Sequence, residues 1–138
     1  MDKKADNHKK KEFLRKYRKR WRKVSLIEAQ IDEIRQMKIS LSSFSDGMPR
    51  GNLPSDLSAY VAKLDEMERE LIEAKKSMIR AYSRIMTKID ALEDEDERGV
   101  LIYRYIKGLP FWEIADLVGI SESTTHRKHG TALEKLRL

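Results

Sequence analysis

Residues 121–129, Ser-Glu-Ser-Thr-Thr-His-Arg-Lys-His, place hydroxyls, a carboxylate, a guanidinium, an ammonium and two imidazoles at the start of one expected helix. Such groups suit hydrogen bonding to polar edges rather than bond-making. No glycine-rich phosphate loop, nucleophile with a base partner or pair of buried carboxylates accompanies them, so no enzyme chemistry is expected. His126 and His129 are three residues apart, but the chain has no cysteine and no second histidine pair. Neither a metal nor a cofactor is therefore expected.

The residues just upstream explain how such a helix would be held. Pro110 suits the first turn of a short helix, where its missing N–H costs nothing. Ile114, Leu117 and Val118 give that helix an apolar face, and Ala115 is small where two helices cross closely. Gly119 can take the positive φ that turns the chain. Ile120 plugs the corner, Ser121 caps the next helix, and Glu122 adds negative charge to its first turn. This order is what a tight turn between helices crossing near a right angle requires. The second helix of such a pair enters the major groove of DNA, its N-terminal residues nearest the base edges.

Two longer helices precede this unit. From about Lys9 to Ser42, Tyr17, Val24 and Ile31 recur at sevens, as do Ile27, Ile34 and Leu41. A break follows near 43–55, where Asp46-Gly47, Pro49, Gly51 and Pro54 crowd together. The second helix is expected to begin near Ser55 or Asp56, either of which can cap it. Its seam runs Leu57, Leu64, Leu71, Met78, Ile85 and Leu92, with Val61, Met67, Ala74, Tyr82 and Ile89 between. That regularity fits either a scaffold hairpin or a coiled-coil surface for a homodimer. The acidic cluster from Asp90 to Glu97 marks the N-terminus of a further helix, running through Val100, Leu101, Tyr105 and Ile106 to Gly108. A contact to a basic patch on RNA polymerase is the other reading of that cluster. The expected class is all-α: a basic helical arm (1–23), a long helical hairpin (9–92) and a three-helix helix-turn-helix domain (93–138).

Composition agrees. Charged residues make up 38% of the 138, well above the quarter usual for a globule, as long exposed helices require. Net charge is +6, yet residues 1–24 alone carry twelve Lys/Arg against three Asp/Glu. The excess sits on one arm and implies a polyanionic partner. No apolar run approaches a membrane span, no signal-peptide core follows the N-terminus, and cysteine is absent. A cytoplasmic protein with no membrane contact is expected.

Leu92–Leu138 resembles region 4 of bacterial sigma factors, the domain that reads the −35 promoter element. The likeness rests on Arg104-Tyr105-Ile106-Lys107-Gly108-Leu109, Glu113-Ile114-Ala115, Val118-Gly119-Ile120-Ser121 and Ala132-Leu133-Glu134-Lys135-Leu136-Arg137. A basic arm, a long hairpin and such a domain on a short chain are similar to phage and prophage transcriptional regulators of the RinA and ArpU types. The resemblance implies that Glu122, Ser123, Arg127 and His126 read bases in double-stranded DNA. It implies that Ser121, Thr124, Lys128 and Lys107 face phosphates, and that RNA polymerase is a partner. Arg127 can pair bidentately with guanine, and Glu122 can accept from cytosine. Thr125, where the family usually has a β-branched aliphatic residue, needs a partner for its hydroxyl. Lys128 and His129 stand where some relatives turn an apolar residue inward, so a looser or slightly rolled helix is expected.

The arm has three readings. It is a DNA-backbone clamp through Arg15, Lys16, Arg18, Lys19, Arg20, Arg22 and Lys23. It is an arginine-rich helix gripping structured RNA, as antitermination factors do. Or it is a solvated face anchored by Phe13, Tyr17 and Trp21. Phe111 and Trp112, beside Tyr105, read as core and edge of the small domain rather than a base-stacking platform. A small terminase-like DNA-packaging subunit is the remaining alternative.

Overall fold

The structure, a computed structural model, describes residues 2–45 and 53–138. Among them there is no strand. The helices are α1 (Lys3–Ser45), α2 (Leu53–Asp90), α3 (Glu95–Leu101), α4 (Phe111–Val118) and α5 (Glu122–Lys135), with a π-helical turn, Ile102–Ile106, continuing α3. The class is all-α, as the periodicity requires: a long two-helix hairpin followed by a helix-turn-helix unit. Most of the break expected at 43–55 lies outside the described residues. Of its flanks, α1 runs on to Ser45 and α2 begins at Leu53, ahead of the expected caps. Pro54 is second in α2, a place where the absent N–H has no intrahelical acceptor to serve.

The chain divides into two compact units, residues 21–77 and residues 1–20 with 78–138. In the first, Val24, Ile27 and Ile31 of α1 and Leu64, Met67 and Ala74 of α2 are buried. Arg35 donates to Glu68 at 2.8 Å on the outside of this pairing.

In the second unit, Leu14 of α1 joins Ile85, Ile89 and Leu92, which lie in and just after α2. Leu101, Tyr105, Ile106, Ala132, Leu133 and Leu136 complete one core. Each large aliphatic residue so enclosed contributes roughly 1.5–3 kcal/mol. The helix-turn-helix unit thus shares its core with the first turns of α1 and the last of α2. Two seam assignments need correcting: Val61 is 38% exposed, and Ala81, not Tyr82, is buried, Tyr82 staying 43% exposed. After Met78 the i+3 position faces inward and the i+4 position swings to the edge. There the Tyr82 ring lies 5.7 Å from that of Tyr17.

Candidate nucleic-acid interface

Local chemistry fixes each turn of the C-terminal unit. Asp94 caps α3, its carboxylate accepting from the backbone N–H of Asp96 at 2.8 Å and Glu97 at 3.2 Å. Arg98 ties the cap to the end of α2 by donating to the carbonyls of Leu92 (2.6 Å) and Glu93 (3.1 Å). The π-helical turn ends with Lys107 N–H donating to Ile102 O. Gly108 then takes φ +72°, and a Cβ there would come within 2.9 Å of Arg18 Nε. Pro110 sits one residue before α4 rather than inside it. Its extended backbone turns a carbonyl to Glu113 N and Ile114 N.

The corner between α4 and α5 follows from Gly119 and Ser121. Gly119 is left-handed (φ 80°, ψ 34°), a conformation in which only glycine is free of strain, and it ends α4. Ser121 Oγ accepts from Thr124 N at 3.1 Å and donates to Thr124 Oγ1 at 2.8 Å. Thr125 is fully buried, and its hydroxyl donates to Ser121 O at 2.9 Å. The Thr125 hydroxyl is therefore satisfied inside the helix. Ile114 and Ala115 are buried under the corner, whereas Leu117, expected on the apolar face, is 55% exposed.

The start of α5 leaves Glu122, Ser123, His126 and Arg127 exposed at i, i+1, i+4 and i+5. Arg127 enters no ion pair among the described residues. Glu122 lies 3.9 Å from His126 Nε2. The His126 ring also rests on Phe111, with centroids 4.1 Å apart. The Arg104 guanidinium lies 4.4 Å from the centroid of that Phe111 ring. Trp112 is exposed and belongs to the edge only.

Lys128 is engaged differently. Its ammonium donates to Asp94 at 2.7 Å. This hydrogen bond raises the Lys128 pKa, and the same bond, followed by the Glu97 N–H, lowers that of Asp94. Lys135 likewise donates to the buried carboxylate of Glu97 at 3.0 and 3.2 Å. Two members of the acidic cluster are therefore tied to α5. His129 turns inward, stacked on Tyr105, with Nε2 2.8 Å from the Tyr105 hydroxyl. Burial pushes its pKa down to about 4, and the charges of Lys11, Arg104, His126 and Arg15 act in the same direction. Instead of a looser helix, Lys128 and His129 give α5 two specific attachments.

The arm is anchored by residues that carried no expectation. Lys10 is buried, donating to the carbonyls of Leu133 (2.7 Å) and Glu134 (3.3 Å) at the end of α5 and pairing with Asp6 at 3.1 Å. It supplies positive charge where helix carbonyls lack partners. Lys3 pairs with Glu134, which lowers that carboxyl's pKa. The signal was present: Lys10, Leu14 and Tyr17 share one helical stripe with Val24. Lys16, Lys19, Arg22, Lys23 and Lys107 are exposed, while Arg18 and Arg20 are half-buried. Arg15 is exposed too, paired with Glu12 at 3.1 Å.

Residues 91–138, about a third of the chain, match the family model described as sigma-70, region 4. That family is one of DNA-binding helix-turn-helix domains. Neither a curated protein nor a solved structure matches the chain. No helix among the described residues is long and apolar enough to cross a membrane.

Proposed function

We propose that the chain is a sequence-specific DNA-binding regulator of transcription that reads a −35-like element through α5. The carrying observation is the exposed face of Glu122, Ser123, His126 and Arg127 on a helix capped by Ser121 and braced by Lys128 and His129. Arg127 is the base reader, because a guanidinium free of protein anions can pair bidentately with guanine. Glu122 accepts from cytosine. Ser121, Thr124 and Lys107 sit against phosphates and fix register. Lys128 would have to leave Asp94 to join them. The resemblance of the whole architecture to RinA- and ArpU-type regulators supports control of phage genes, with RNA polymerase as a partner.

Selection of bound duplexes from a random pool tests this reading. An Arg127→Ala variant should lose preference at one base position, at a cost of ~1–3 kcal/mol. Equal weakening at every position would make Arg127 a phosphate contact and sink its role as reader. The arm adds affinity without sequence content. Replacing Lys16 and Lys19 by alanine should lower the slope of log K against log salt by about one for each phosphate left without its lysine, with target preference unchanged. An unchanged slope would leave those lysines as a solvated face.

A further inference from the structure

An exposed imidazole on a helix surface ordinarily moves among its staggered rotamers and aims at nothing in particular. His126, on the exposed face of α5, is held instead. Its ring lies 4.1 Å from that of Phe111, centroid to centroid, with the planes 34° apart. Phe111 opens α4 and is only half-buried, so its ring serves the domain interior and the reading face together.

The Phe111 ring is itself fixed by neighbours in the same compact unit. The Arg104 guanidinium lies 4.4 Å from its centroid, and Arg104 Nη1 donates to Leu109 O at 3.1 Å, two residues ahead of Phe111. A cation tied to the backbone in this way brings a fixed charge to the ring. The ring also meets His129 at 79°, centroids 5.1 Å apart. The consequence reaches the start of α5. His126 Nε2 lies 3.9 Å from Glu122 Oε1, one turn nearer the N-terminus. The nitrogen edge of the stacked imidazole is thus turned toward the end of the helix that approaches base edges.

We propose that Phe111 is a positioning residue for sequence recognition: it presents the His126 imidazole edge-first to one base, with Arg104 steadying the ring. The inference rests on the reading of α5 as the base-reading helix. Phe111 touches no base in it and acts through His126 alone. An imidazole oriented before contact loses less freedom on binding, and its selectivity depends on that orientation being held.

Two measurements on the full chain test this. In NMR spectra of the free protein, the carbon-bound imidazole protons of His126, assigned by their loss in His126→Ala, should carry an upfield ring-current shift. That shift should vanish in Phe111→Leu and return in Phe111→Tyr. In selection of duplexes from a random pool, Phe111→Leu should lose roughly fivefold or more of the preference at the position that His126→Ala also loses. The preference set by Arg127 should stay, and Phe111→Tyr should restore the lost one. Phe111→Leu added to His126→Ala should cost nothing further at that position. Phe111→Met is a second ring-free substitution with the same expectation, should the leucine chain fail to fold. A merely structural role would weaken binding to all sequences alike, and that outcome overturns the proposal. So does a missing ring-current shift, or additive losses in the double variant. An unaltered chain that selects no sequence overturns the reading of α5, and the role of Phe111 falls with it. Selection that depends on Arg127 but is unmoved by Phe111→Leu overturns the role of Phe111 alone.

Discussion

Replacing Leu14 by alanine should destabilise the DNA-binding unit by ~2–5 kcal/mol, although Leu14 lies far outside the region-4-like segment in sequence. Its side chain has no exposed surface, and it sits among Ile85, Ile89, Leu92, Leu101 and Leu136. Truncation removes apolar packing on every side and leaves a cavity whose walls belong to α1, α2, the α3 segment and the stretch around α5. These helices are pinned to one another by Lys10 and Lys135, so collapse into the gap is limited. The loss should appear as a lower midpoint in thermal or urea unfolding followed by circular dichroism, with DNA affinity falling in parallel. A change below ~1 kcal/mol would mean that α1 is not integral to this core. Lys16→Ala, on the exposed side of the same turns, is the control and should leave the midpoint within about 0.5 kcal/mol.

The contrast between Leu14 and Lys16 marks what the amino-acid order conveyed. Gly119 and Ser121 were legible because a left-handed turn and an N-cap each need a short menu of residues at one position. Both occupy those places here. Heptad spacing likewise conveyed the long helices. It could not choose between Ala81 and Tyr82, since i+3 and i+4 both lie near a seam and the smaller side chain simply allows closer approach. Nor could it separate Lys10 from Lys9 and Lys11 by residue type. Only the stripe through Leu14 and Tyr17 does that. The pairs Lys128–Asp94 and Lys135–Glu97 span 34 and 38 residues and follow no local period, so they emerge only once α5 packs on α3. The same packing turns His129 inward onto Tyr105.

His129 gives the unit a pH dependence of defined sign. Its pKa is about 4 when folded, against 6.5 in an unfolded chain. Between these values the unfolded state binds more protons, so stability falls as pH falls. The contribution is complete above pH 6.5, declines from there to pH 4, and changes no further below. The cause is local. A protonated ring would lose solvation in the stack with Tyr105 and against the edge of Phe111. It would also face Lys11 and Arg15 from α1, Arg104 from the π-helical turn and His126 from α5. A shift of this size sets an upper bound of roughly 3 kcal/mol. Water reaches part of the ring and screens these charges, so about 1–2 kcal/mol is the expected loss. The carboxyl groups of Asp94 and Glu134 have lowered values, so their contributions are lost only as pH falls below their ordinary 3.8 and 4.5. Urea unfolding midpoints measured from pH 7 to 4.5 therefore cover the window in which His129 acts. A His129→Leu variant deprives the Tyr105 hydroxyl of its partner and should be less stable at pH 7, yet its midpoint should be nearly flat across that interval. If the variant keeps the slope of the parent chain, the acid sensitivity lies elsewhere in the unit and His129 is not its source.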